Sequence, residues 1–487
     1  MHWIQGGNDR DDRLSQGSRE GHVSRRDFLK AAGAAGATIG LTGGLGGLLA
    51  ACGTEAVTTT TGPGATTTQA PTAASTQAAD TTTVTAAADA GREIRLGFVE
   101  PVTGSLASFG VPTSYCKERW TEFLGDGLVL GDGKKHSVTI IDRDTQSDSN
   151  RAAQVTGDLI NNDKVDVVMT ASTADTVNPV ADQAEALATP CVSTDAPRQP
   201  YFYGRKGDPV KGFTWTWHAF WGVEDQVSNF LDIWSQVSTN KVVGALWPND
   251  ADANAIRPVW TLILKEKGFQ LVDGGAYQDG TEDFSSIISA FKAAGTEILI
   301  GAVIPPDWTN FWKQSAQQGL KEKVKVATIG KALLFPETLE ALGDIGLGLS
   351  CEIWWTPNYP FKSSLTGETA AEFAADYEKR TKRQWTQPLM HYIVLEIVVD
   401  ALRRATNPED KTAIVEAIKT TKLDTLAGPI DFTAPVKEGT AHPVPNVVKT
   451  PMVGGQWVKG STWPYDVTIV SNAASPTVPV QSKVQPL

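Results

Sequence analysis

The side chains best able to do chemistry in this sequence collect in a few short segments, each following an apolar run. Ala171-Ser172-Thr173-Ala174-Asp175 and Ser193-Thr194-Asp195-Ala196-Pro197 bring hydroxyls and carboxylates, while Trp247-Pro248-Asn249-Asp250 and Ile304-Pro305-Pro306-Asp307-Trp308 each pair an indole with an acid. Tryptophan is the second theme. Trp215, Trp217, Trp221, Trp247, Trp308, Trp312, Trp354 and Trp355 cluster along the chain around such segments. Indoles offer large apolar contact at low entropy cost, stack on rings and attract cations. The set suits the holding of a small organic molecule, with Trp221, Trp247 and Trp308 expected to line its cleft.

Bond-breaking chemistry has no comparable signature. The chain contains no G-x-S-x-G elbow, H-E-x-x-H helix, Walker A loop or G-x-G-x-x-G fingerprint. Gly348-Leu349-Ser350-Cys351 begins like an elbow but continues with Glu352. The six histidines are scattered, and His218 and His391, within reach of the expected cleft, read as hydrogen-bonded structural residues. Cys116 and Cys191 read as small core residues, and no Cys/His spacing suits zinc. No metal, cofactor or enzymatic activity is expected; a secreted hydrolase is the remote alternative.

The elements that must position these residues begin at Arg92. Strands are expected at 94–99, 138–142, 165–170, 190–194, 241–247, 297–303 and 324–329, with helices at 112–124, 150–162, 177–188, 224–237, 254–268, 284–294 and 308–319. This alternation predicts βαβ units and parallel sheets flanked by helices, an α/β fold. In such sheets ligands sit outside the carboxyl ends of the strands, where the segments above fall. At 487 residues the chain exceeds the roughly 250–300 that one core sustains, so two or more units are expected.

Phe98-Val99-Glu100-Pro101-Val102-Thr103-Gly104 with Phe109-Gly110 resembles the opening of the branched-chain-amino-acid-binding family of type I periplasmic binding proteins, the solute receptors of ABC importers. Asp142-Arg143-Asp144-Thr145-Gln146-Ser147-Asp148, Thr281-Glu282-Asp283-Phe284-Ser285 and Gly428-Pro429-Ile430-Asp431-Phe432 are similar to further motifs of that family, in order over roughly residues 92–435. The resemblance implies two Rossmann-like lobes joined by three hinge crossovers and closing on ligand. Mapped here, one lobe is 92–217 plus 357–428, the other 218–356 plus 429–465, and 466–487 is a C-terminal tail. The crossovers then lie near Trp217, Trp355 and Gly428.

The resemblance also implies a site. In this family hydroxyls and amides at a helix N-terminus, a place that favours an anion, hold the ligand's carboxylate. The matching positions are Ser172, Thr173 and Ala174, followed by Ser193, Asp195 and Ala196; plain helix capping is the other use of Ser172 and Thr173. Phe109 stands where an aromatic closes over the ligand, and Asp252 is a further candidate. Where amino-acid-binding members carry an acid for the ligand's ammonium, this chain has Lys331. A cation there repels an ammonium by on the order of 1–4 kcal/mol, so an anionic or neutral ligand is expected, while Asp195 offers an acidic partner from the other lobe.

Ahead of the folded part, Ser24-Arg25-Arg26-Asp27-Phe28-Leu29-Lys30 and the apolar stretch 31–51 match a twin-arginine export signal. Leu49-Ala50-Ala51-Cys52 resembles a lipobox, whose cysteine takes a diacylglyceryl group. The alternative, an uncleaved membrane span, is weakened by the seven glycines of that stretch. Residues 1–51 thus read as a signal peptide and 52–91, rich in Thr and Ala, as a disordered tether. The formal charge of −12 argues against nucleic acid as a partner. The expectation is an extracytoplasmic monomer, lipid-anchored at the cell membrane, delivering a small-molecule solute to ABC permease subunits. A sensor presenting the same solute to a membrane receptor is the alternative.

Overall fold

The computed structural model describes residues 88–434, 436–438 and 442–487. Arg25, Arg26, Cys52 and the expected tether as far as residue 87 lie outside the described residues.

Two sheets organise the chain. The first has six parallel strands in the order Val447–Val448, Thr216–Ala219, Cys191–Thr194, Val167–Ala171, Ile94–Glu100, Val138–Asp144. The second has seven, in the order Tyr465–Ser471, Val453–Lys459, Ser350–Ile353, Val326–Lys331, Ile298–Val303, Val242–Pro248, Gln270–Tyr277. Its last five run parallel and its first two join antiparallel. The α/β expectation holds, and each of the expected strands is present to within about two residues.

The sequence dictates this layering locally. Val167–Ala171 and Val242–Pro248 are buried at every position, as central parallel strands covered on both faces must be. Helix Ser149–Asn161 buries Ala152, Val155, Thr156, Leu159 and Ile160, one stripe of helical period. It starts where the Asp148 carboxylate accepts the Arg151 N–H at 2.7 Å. The edge strand Gln270–Tyr277 escaped the sequence pattern because it is half exposed and carries Asp273-Gly274-Gly275 in place of an apolar run.

Three expected boundaries are corrected. The chain leaves the first sheet after Ala219 and enters the second with helix Val223–Ser235. The last return lies between Val448 and Val453, not near Gly428, because Val447 and Val448 pair with His218 and Ala219 in the first sheet. Residues 466–487 are no tail. Tyr465–Ser471 forms the edge of the second sheet, Val478 and Val484 are buried, and the Leu487 N–H donates to the Lys325 carbonyl at 2.9 Å. Sequence reading missed these because Val447–Val448 pairs with a strand more than two hundred residues earlier and Val453–Lys459, which carries the edge strand, pairs with Ser350–Ile353 about a hundred residues earlier, which local periodicity cannot register.

Charges stitch the crossovers. Glu224 at the first accepts Arg198 at 2.7 Å and Lys449, at the last, at 3.0 Å, and Lys449 also reaches Asp225 at 2.5 Å. Burial pushes the Glu224 carboxyl up, but Arg198 and Lys449 outweigh it and hold the group well below the usual carboxylate range.

Candidate functional site

The carboxyl ends of the two sheets face each other across a cavity of about 350 Å³, a volume that includes its opening to solvent. The halves touch around it. The Phe109 ring meets Phe335 edge-on at 5.1 Å, and the Ala251 N–H donates to Asp175 Oδ1 at 3.1 Å. Four rings line the cavity, Phe109, Phe220, Trp221 and Trp354, beside the aliphatic Ile256 and Leu334.

On the first-sheet side, Thr173 precedes helix Ala174–Ala186 and makes no capping bond. The hydroxyls of Ser172 and Thr173 are buried without a hydrogen-bond partner among the described residues, so capping does not account for either. Asp195 follows strand Cys191–Thr194 with φ +74°, a left-handed conformation that side chains rarely adopt. Its Oδ2 accepts from His391 Nε2, while Oδ1 has no hydrogen-bond partner among the described residues, and Asp195 lines the cavity. His391 Nδ1 lies 3.5 Å from Glu100 Oε2, and all three groups are buried. Burial alone would lower the His391 pKa; Asp195 and Glu100 outweigh it and hold the imidazole up at about 9.

On the other side, Lys331 ends strand Val326–Lys331 with φ +62° and donates its N–H to Glu352 Oε1 at 3.1 Å. Its Nζ reaches Asp250 Oδ2 at 2.6 Å and Asp252 Oδ2 at 3.0 Å. Asp250 also caps helix Ala251–Glu266 through the Ala253 N–H at 2.7 Å, so its two oxygens hold the helix and the lysine in one frame. Burial would lower the Lys331 pKa, and Asp250, Asp252 and Asp175 together raise it well above the ordinary value. Burial pushes Asp252 up to about 6 and Glu352 up to about 7.

The expectation drawn from Lys331 is therefore corrected. Its charge is neutralised by two carboxylates, so it does not stand free to repel an ammonium, and the pocket around it is acidic. Of the expected site residues, the cavity wall brings together Phe109, Thr173, Asp195, Trp221, Asp252 and Lys331. Ser172 and Ala174 are buried beside it without lining it. Ser193 and Ala196 face His218 instead: its Nε2–H donates to the Ala196 carbonyl at 2.7 Å and Nδ1 accepts from the Ser193 hydroxyl at 2.8 Å. Burial holds that ring neutral, its pKa down at about 3. Trp247 and Trp308 are core residues, because strand Val242–Pro248 is buried throughout and Trp308 stacks on Trp312 at 5.3 Å.

Sequence reading missed Glu352, Phe220 and Gln226. Glu352 did carry a signal, a charge inside the apolar strand Ser350–Ile353. One group of metal-ligating types occurs among the described residues, Asp132, His136 and Glu409. It sits where Arg92 leads into strand Ile94–Glu100, at the end opposite the cavity, and Glu409 there faces Arg92 at 3.5 Å.

Comparison with known proteins bears on the fold and the family. A family model described as periplasmic binding protein matches residues 93–455, and one for the twin-arginine translocation pathway signal sequence matches residues 22–42. Leu/Ile/Val-binding protein homolog 7 of Brucella melitensis is 21% identical over 406 residues, covering 80% of this chain and 95% of its own. A leucine binding protein from Thermotoga maritima superposes with a TM-score of 0.61 at 18% identity, over 78% of this chain and 99% of that one. An ABC-transporter solute binding protein from Rhodopseudomonas palustris, in complex with 3,4-dihydroxy benzoic acid, gives 0.61 at 19% identity, over 77% and 95%. At these identities the solved structures establish the shared fold.

Proposed function

The chain belongs to the periplasmic binding protein family, and from that premise we propose that its two lobes close on a small organic solute and pass it to the permease of an ABC importer. One observation carries the reading. Aromatic rings line a cavity whose wall residues also carry buried polar atoms without a partner among the described residues: Thr173 Oγ1, Asp195 Oδ1, Glu352 Oε2 and Trp221 Nε1. Each such atom costs about 1–3 kcal/mol unpaired, and a solute that pairs them recovers that cost. The relatives that bind leucine and dihydroxybenzoate make amino-acid-like and aromatic compounds the first to try.

A thermal-shift screen across amino acids, aromatic acids, amides and polyamines tests the reading. A ligand at about a hundredfold over its Kd stabilises the native state by about 2.7 kcal/mol. Intrinsic fluorescence is expected to change with it, because Trp221 and Trp354 line the wall. Trp221→Ala is expected to remove much of that change. A screen that produced neither shift would sink the receptor reading.

The twin-arginine signal at residues 22–42 directs export, so the lobes work outside the cytoplasm. The lipid anchor at Cys52 belongs to the same proposal. Cys52→Ala is expected to move the protein from washed membranes to the soluble extracytoplasmic fraction, and retention in the membranes refutes the anchor.

A further inference from the structure

We infer that the cavity takes an organic cation, an amine on an apolar or aromatic body, whose charge sits between Asp195 of one lobe and Asp252 and Glu352 of the other. The inference rests on the solute-receptor reading and names its substrate class.

The charges come first. Among the described residues that line the cavity, the ionisable ones are Asp195, Asp252, Glu352 and Lys331. Lys331 shares its ammonium between Asp250 and Asp252, and Asp175 lies within its field. On the other lobe His391 stands between Asp195 and Glu100. Each pole thus holds one base among two or more acids. A ligand anion meets this excess of acids, whereas a ligand cation completes it.

The unpartnered atoms carry the same sign. Asp195 Oδ1, Asp252 Oδ1 and Glu352 Oε2 are buried acceptors without a hydrogen-bond partner among the described residues. The corresponding donors in the wall are the Thr173 hydroxyl and the Trp221 N–H. The complement of such a wall is rich in N–H groups. Burial raises the carboxyls of Asp252 to about 6 and Glu352 to about 7, because Lys331 only partly offsets the cost of burying their charge, and a bound cation favours their ionised form. The faces of Phe109, Phe220, Trp221 and Trp354 accept either a cation or the ring that bears it.

Titration calorimetry on the full chain decides the matter with four probes of one body: phenethylamine, phenylalanine, 3-phenylpropionamide and 3-phenylpropionate. Phenethylamine is expected to bind about tenfold or more tighter than the amide and the carboxylate, and no weaker than the amino acid. Glu352→Gln and Asp195→Asn, each judged only if it folds as wild type by circular dichroism, are expected to weaken phenethylamine by about tenfold while changing the amide little. Tighter binding of 3-phenylpropionate or phenylalanine overturns the inference, as does an affinity indifferent to both substitutions. Binding by none of the four overturns it too. In that event a hit of another charge class in the thermal-shift screen keeps the receptor reading, and a blank screen ends both.

Discussion

Lys331→Met is expected to lower the unfolding free energy by about 3–5 kcal/mol, the usual cost of leaving buried partner charges uncompensated. Lys331 is 7% exposed, and Asp250 and Asp252, its partners at 2.6 and 3.0 Å, are as deeply buried. Methionine matches the length of the stem and keeps a Cβ at the positive φ, so backbone strain is common to both proteins and the difference reads charge alone. The triple variant that adds Asp250→Asn and Asp252→Asn is expected to return to within about 1–2 kcal/mol of wild type, since a neutral replacement of a whole buried ion cluster is often tolerated. Asparagine at position 250 still caps helix Ala251–Glu266. Urea unfolding followed by fluorescence measures all three. A single-variant loss below about 1 kcal/mol, or a triple variant as unstable as the single one, contradicts a structural ion cluster at this place.

The second large effect is a pH dependence centred on His391. Its folded-state pKa, about 9, exceeds the ordinary value, so the imidazolium contributes stability that is fully present below about 6.5 and is lost as pH rises through about 9. The contribution is on the order of 3 kcal/mol. His391→Gln keeps a hydrogen-bond donor beside Asp195 but cannot be charged. The stability difference between wild type and this variant is therefore expected to be largest near pH 6 and to shrink steadily between about pH 7 and pH 10. Taking the difference removes the titration of lysines, tyrosines and cysteines, which both proteins share. A difference that stays constant across that window means that His391 is neutral in the native protein and that Asp195 is held some other way.

Much of the framework was legible along the chain. The βαβ rhythm, the central strands and their helices follow from apolar runs of period two and stripes of period 3.6, which are local properties. The loops that carry Thr173 and Asp195 were found because parallel sheets present their strand ends to one side. Less legible were short strands such as Ser350–Ile353 and Thr216–Ala219, whose four residues hold no periodic signal, and the closing strands near the C-terminus, defined by partners far away in sequence.

The site divides along the same line. Sequence alone determined that the chain is built as an exported receptor of this fold: Arg25 and Arg26 stand in a recognised signal, and the motifs from Glu100 to Asp431 follow the family order. It also located Lys331 and Asp195 at strand ends. What these charges do was decided only by tertiary structure. Asp250 and Asp252 reach Lys331 from a helix some eighty residues earlier, and His391 reaches Asp195 across nearly two hundred. The net charge of a pocket is a sum over groups brought together in space, and a lysine in a list of residues carries no record of which carboxylates fold against it. That is why the same residue argued for an anionic or neutral solute when read along the chain and sits within an acidic cavity when the chain is folded.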